Sequence, residues 1–152
     1  MKKSLIVSLL ISLGVGLLSG IITRGNMDVY KYLVKPPLSP PIITFPIVWT
    51  ILYILMGISS YMIYESKNVN SDEALKIYFT QLLFNFIWPI LFFLLNYRFI
   101  SFIWIIMLLI IIVIMITKFY KINKISTYLQ LPYVFWVIFA SYLNFGFYIL
   151  NR

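Results

Sequence analysis

The chain has 152 residues, of which 62% are hydrophobic and only 11% charged. A water-soluble domain of this size cannot hide that much apolar surface, so a soluble globular protein is excluded and lipid must be the solvent. The net charge of +8 comes from twelve basic residues scattered among helix ends, which suits membrane-surface anchoring and argues against a nucleic-acid partner; with no Cys and no His, disulfides, thiol chemistry, Cys/His zinc sites and His-ligated haem are also excluded.

Charge-free runs at 4–23, 36–64, 77–97, 99–117 and 125–151 set the number of spans. A spanning helix needs about 20 apolar residues, and a helix satisfies its own backbone in hydrocarbon. The expectation is an all-α integral membrane protein in one domain, a single bundle of five transmembrane helices at about 4–23, 44–64, 73–96, 100–117 and 126–150.

The first helix follows Met1, Lys2 and Lys3, a start that also suits a signal peptide. Its apolar stretch is longer than a signal-peptide core and has no Ala-x-Ala cleavage site, so it reads as a retained span. Ser4, Ser8, Ser12, Gly16 and Gly20 recur at every fourth residue or close to it, a small-residue stripe that lets another helix approach closely. Two readings stand: packing within the monomer, or a homodimer seam through Ser8, Ser12, Gly16 and Gly20.

Residues 24–43 form the longest connection, in which Tyr30, Tyr32 and Leu33 suit a short interfacial turn. Proline fixes φ and lacks a backbone donor, so Pro36, Pro37, Pro40 and Pro41 stiffen a cationic loop that carries Lys35, whereas Pro46 is tolerated in the first turn of a helix. This loop reads as a lid, with Lys35, Pro40 and Pro41 over the helix that follows. That second helix places Trp49, Tyr53 and Met56 on one face.

Ser71, with Asp72 and Glu73, suits an N-terminal cap for the third helix. Gln81, Asn85, Trp88 and Phe92 share one face of it, and Pro89 is expected to kink it there. An amide without a partner is costly in hydrocarbon, so Gln81 and Asn85 should face protein or a cavity. The fourth helix is nearly pure Ile, Leu, Met and Val and reads as a lipid-facing strut. On the fifth, Pro132 is placed near the first turns; Trp136, Ala140, Leu143 and Phe147 make one stripe, with Tyr133 and Asn144 at its margins. Tyr120 and Tyr128 suit the interfacial belt.

With five spans, one side holds Lys2, Lys3, Lys67, Lys76, Lys118, Lys121 and Lys124, and the other holds Arg24, Lys31, Lys35, Arg98 and Arg152. Seven against five favours a cytoplasmic N-terminus. The four carboxylates lie in or near loops, and a proton-coupled pump normally needs an ionisable group at depth.

If the faces of the second, third and fifth helices converge, they build an apolar slot walled by indoles. Trp49, Tyr53, Asn85, Trp88, Phe92, Trp136, Ala140 and Asn144 are its candidate lining residues. Aromatic walls with few polar groups suit a flat, rigid, mostly apolar ligand, and Lys35 is placed to meet carboxylates at that ligand's wet edge. Ordinary core packing explains each stripe taken singly. No residue presents itself as catalytic, and no metal set or obligatory cofactor is called for.

Three motifs add to this reading. Lys35-Pro36, Pro40-Pro41, Phe45-Pro46, Val48-Trp49, Leu52-Tyr53 and Met56-Gly57 form the first. Gln81, Leu82, Asn85 and Trp88, followed by Phe92 and Phe93, form the second. Pro132, Tyr133, Trp136, Phe139, Ala140, Leu143 and Asn144 form the third. In this order and spacing the chain resembles the TspO/MBR family, the tryptophan-rich sensory proteins that include the mitochondrial translocator protein. The resemblance implies a five-helix, usually dimeric membrane protein that binds tetrapyrroles and other hydrophobic ligands, in a pocket between the first loop and helices one, two, three and five. It implies porphyrin as the ligand, with sensing or transport as the role. An alternative is light- and oxygen-dependent porphyrin degradation, in which the protein supplies no acid, base or metal; another is a small membrane facilitator without a tetrapyrrole. Val29 and Leu38 stand where the family often has Trp, which weakens indole-assisted photochemistry more than it weakens binding. A loose sterol motif fits three places in the chain and so carries little weight.

Overall fold

The computed structural model describes residues 2–152. Six helices follow one another: α1 Lys2–Thr23, the short α2 Val29–Tyr32, α3 Thr44–Ser66, α4 Ser71–Pro89, α5 Arg98–Ile122 and α6 Lys124–Leu150. All but α2 are long and apolar enough to cross a membrane, which makes five spans, and no strand occurs among the described residues. At 1.5 Å per residue these helices run about 30–40 Å, the thickness of a bilayer core and part of its headgroup region.

The helix ends follow from local chemistry. Asn123 caps α6 by accepting a hydrogen bond from the Ser126 N–H at 3.1 Å. Lys67, in the left-handed conformation at φ 50°, stops α3. Ser71 is the first residue of α4 and not its cap. Its hydroxyl donates instead to the Ile63 carbonyl at 3.0 Å, which closes the α3–α4 turn. Pro89 ends α4 and a π-helical turn, Ile90–Leu94, carries the span on. A proline that cannot donate is accommodated there by widening the turn, and the Leu95 N–H reaches the Ile90 carbonyl at 2.9 Å. Pro132 lies in the interior of α6, because that helix begins two residues earlier than expected and Pro132 falls beyond its first two turns.

α3, α4, α5 and α6 form the packed body, and α1 lies at its edge against α3 and, more lightly, α4. α5 is more than a lipid-facing strut. It buries Ser101, Ile105, Leu108, Ile112, Met115 and Phe119 against the bundle, one residue every third or fourth position, while Ile103, Ile110 and Val113 face outward. Its Trp104 stacks on Phe84 at 4.3 Å and donates its indole N–H to the Phe84 carbonyl at 2.8 Å. α3 and α6 meet through a reciprocal pair: the Ser59 hydroxyl donates to the Ser126 carbonyl and the Ser126 hydroxyl to the Ser59 carbonyl, each at 2.8 Å. Without a hydrophobic force between helices in lipid, such small-residue contacts and interhelical hydrogen bonds hold the body together.

α1 buries only three of its described residues, Ser12, Ser19 and Thr23, all of them small hydroxyl side chains. The Ser12 hydroxyl donates to the Tyr53 carbonyl at 2.8 Å. A Cβ on Gly16 would sit 2.4 Å from the Tyr53 ring, and one on Gly57 would sit 2.8 Å from both Leu9 and Ser12. Part of the small-residue stripe of α1 is thus engaged within the chain: Ser12 and Gly16 pack against α3, whereas Gly20 is exposed.

Candidate ligand-binding hollow

Between α1, α3 and α4 lies a hollow of about 820 Å³, open on one side. Its α1 wall combines the side chains of Leu10, Leu13, Leu17 and Ile21 with the bare backbone of Gly14, Gly16 and Gly20. A Cβ on Gly14 or Gly20 would meet nothing within 4 Å. Opposite them stand Phe45, Trp49 and Tyr53 from α3 and Asn85, Trp88 and Phe93 from α4 and its π turn. Trp49 lies 5.8 Å from the Tyr53 ring, tilted by 30°, so the two aromatic planes form a nearly continuous wall. The volume is within the range of small-molecule sites, about 300–1,000 Å³, and the lining is overwhelmingly apolar.

The polar groups at the floor of the hollow are tied to one another. The Tyr53 hydroxyl donates to Asn85 Oδ1 at 2.6 Å, and Asn85 Nδ2 donates to the Tyr133 oxygen at 2.7 Å. The Tyr133 hydroxyl in turn donates to Gln81 Oε1 at 2.7 Å. This chain links α3, α4 and α6 at membrane depth, where an unmade hydrogen bond would be costly. The amides of Gln81 and Asn85 therefore do face protein.

A second, much smaller cavity of about 10 Å³ lies beside the first, lined by Tyr30, Phe45, Trp88, Phe92, Phe93, Ala140, Leu143, Asn144 and Phe147. It has room for about one water. Interlocking rings fill the rest: Phe92 meets Phe147 at 5.7 Å, and Tyr30 meets Phe45 at 5.3 Å and Phe147 at 5.5 Å. Phe45, Trp88 and Phe93 line both spaces and form the partition between them. Trp88 is held in place by its indole N–H, which donates to Asn144 Oδ1 at 2.9 Å, while Asn144 Nδ2 donates to the Arg98 carbonyl at 2.9 Å.

The proline segment is strapped across the α6 side. Pro36 sits against Gly146, where a Cβ would lie 2.5 Å from the proline ring. Asn151 makes two bonds to Val34, accepting from its N–H at 2.8 Å and donating to its carbonyl at 2.9 Å. The Tyr142 hydroxyl donates to the Pro37 carbonyl at 2.7 Å, and the Tyr30 hydroxyl donates to the Pro40 carbonyl. Burial pushes the Tyr30 phenol up from its ordinary value, against a smaller downward pull from the Ser39 hydroxyl, so Tyr30 remains a neutral donor at physiological pH.

Comparison with known proteins gives a match of residues 7–150 to the TspO/MBR family. The chain belongs to the TspO/MBR family. A "Tryptophan-rich protein TspO" of Archaeoglobus fulgidus is 38% identical over 148 residues, covering 97% of this chain and 96% of the relative. A "Translocator protein" of Sus scrofa is 31% identical over 137 residues, covering 88% and 81%. A "Tryptophan-rich sensory protein" of Cereibacter sphaeroides is 29% identical over 116 residues, covering 76% and 72%. The chain is accordingly an integral membrane protein of the TspO, translocator and sensory-protein group.

The TspO/MBR motif residues divide between the two spaces. Trp49, Tyr53, Asn85 and Trp88 line the hollow, whereas Phe92, Ala140 and Asn144 line only the small cavity. Trp136 lines neither. It packs edge-on behind Phe45 at 5.9 Å and Trp49 at 6.5 Å, so those two rings reach the hollow in its place. The lid residues Lys35, Pro40 and Pro41 do not line the hollow either, because the strap is fastened to α6 and not to α1. The Lys35 ammonium lies 5.1 Å over the Tyr30 ring. The resemblance placed helix one at the pocket, but no residue of α1 and not Arg24 was among the sequence-based lining residues; the glycines were the available signal, legible as missing bulk and read there as a packing or dimer stripe.

Proposed function

We propose that this chain is a membrane binding protein for flat, hydrophobic ligands of the porphyrin type, acting in sensing or transport. The observation that carries the reading is the hollow of about 820 Å³, in which an aliphatic helix face broken by Gly14, Gly16 and Gly20 stands opposite Trp49, Tyr53 and Trp88. A flat ligand lies between an aliphatic wall with glycine gaps and a wall of rings, where it gains aromatic contact area. The hydrogen-bonded floor holds the rings in place before binding, which lowers the ordering cost further. The relatives' names, translocator and sensory protein, support the same class of role. The count of basic residues supports a cytoplasmic N-terminus.

Titration of the purified chain with protoporphyrin IX should quench tryptophan fluorescence to saturation. Trp49→Ala should lower the affinity by about ten-fold or more, as for a buried aromatic anchor. An intact, folded chain that shows no saturable quenching would contradict the reading.

A second reading, oxidative breakdown of the bound pigment under light and oxygen, is favoured by one observation: the oxidisable indole of Trp49 stands in the hollow's wall. Illumination of the complex should then give a product that Trp49→Phe does not give. Equal bleaching of free pigment would count against catalysis.

A further inference from the structure

Among the residues that line the hollow, Arg24 alone carries a charge. It follows Thr23, the last residue of α1, in the 3₁₀ turn Arg24–Asn26, and it is exposed at the rim. Below it the lining is mainly apolar, with the Thr23 and Thr50 hydroxyls turned to carbonyls of their own helices, and at the floor Tyr53 is bonded to Asn85 and Asn85 to Tyr133. The hollow is therefore polarised along its length, with a cation at one end, an apolar body, and a floor whose hydrogen-bonding groups are largely committed. Arg24 makes no ion pair among the described residues, because the one carboxylate in its loop, Asp28, is taken by Lys31 at 3.3 Å. Lys35 is directed away by the strap and lies over Tyr30.

We infer that Arg24 is the specificity-determining residue for ligands with an acidic edge: a flat amphipathic carboxylate binds with its anionic edge at Arg24 and its apolar edge toward Tyr53. This rests on the reading of the hollow as a site for flat hydrophobic ligands, and it adds a chemical class and an orientation. A guanidinium stays charged at any physiological pH and presents a planar fork that a carboxylate meets with two parallel hydrogen bonds. At the rim, water and headgroups give way to hydrocarbon, so the attraction is screened less than in bulk water. The floor supplies the other half of the selectivity. A second acidic group driven inward would find the Tyr53 hydroxyl committed and at most one Nδ2 proton of Asn85 to meet it, with no cation, and would lose its hydration, so ligands charged at both ends are disfavoured. The competing role for Arg24 is that of a helix-end anchor reaching lipid headgroups, which would be indifferent to the charge of a ligand.

The test uses the full chain in nanodiscs of zwitterionic lipid, titrated by tryptophan quenching with protoporphyrin IX and, separately, with its dimethyl ester. Arg24→Gln should weaken binding of the free acid by about five-fold, the worth of an ion pair at a partly solvated edge, and leave the ester unchanged. Arg24→Lys should recover part of the loss, and the free acid's affinity should fall with salt in the native chain but not in Arg24→Gln. Equal effects on acid and ester, no effect on either, or a loss carried by Lys35→Gln in place of Arg24→Gln would overturn the assignment. If neither probe binds the native chain, the binding reading itself falls and this one with it. Binding of both probes with no role for Arg24 overturns only the present inference.

Discussion

The two spaces beside Trp88 differ in volume by nearly two orders of magnitude, about 820 Å³ against about 10 Å³, although they share three lining residues. The difference lies in what stands opposite the shared rings. On the α1 side Gly14 and Gly20 face open space between aliphatic side chains, and on the α6 side Phe92, Leu143 and Phe147 fill it. Fastening differs in the same sense. The α6 side is closed by a strap with hydrogen bonds from Tyr30, Tyr142 and Asn151, whereas the α1 side is held mainly by Ser12 and the close passage of Gly16 and Gly57. The two sides thus differ in the side-chain bulk that faces the shared rings.

Changing the bulk should therefore change the comparison, and the largest effect belongs where there is no room. Gly16→Leu forces a side chain into the Tyr53 ring and should destabilise the chain by about 1–3 kcal/mol, read as a lower melting temperature in detergent along with lost ligand binding. Asn85→Leu leaves the Tyr53 and Tyr133 hydroxyls short of partners and should cost about 1–3 kcal/mol by the same measurement. Gly20→Leu is the informative contrast. Its Cβ meets nothing within 4 Å, so the fold should melt as before while porphyrin affinity falls about ten-fold because the hollow is occupied. Unchanged affinity in that variant would move the site elsewhere. Asn151→Ala should be mildest, at most about 1 kcal/mol, seen as faster hydrogen exchange at the Val34 amide with ligand affinity nearly intact.

The spans were legible because charge marks their ends. Arg24, Arg98 and Lys124 each stand within two residues of an observed boundary. Helical spacing also identified the rings that share a face, and the need of Gln81 and Asn85 for partners followed from their depth in the membrane. What spacing could not supply was rotation and chain path. Trp136 shares a stripe with Ala140, yet α6 is turned so that Trp49 and Phe45 stand in front of it. Asn144, expected as a ligand contact, is committed to Trp88 and the Arg98 carbonyl, partners distant in sequence. Tyr133 was placed at a margin and lies at the centre of the polar chain, since only the three-dimensional meeting of α3, α4 and α6 brings Asn85 and Gln81 to it. Lys35 depended on the path of the strap, which Gly146, Tyr142 and Asn151 set from the far end of the chain, with nothing local to reveal it.

The central claim is that a flat ligand lies between the glycine face of α1 and the rings of α3 and α4. A structure of the chain with protoporphyrin IX bound tests it most directly. The account predicts the macrocycle between Gly20 and Trp49, with its propionates toward Arg24 and the Pro36–Gly146 contact unbroken. A macrocycle under the strap, wedged between Ala140 and Phe147 with Trp88 released from Asn144, would contradict it.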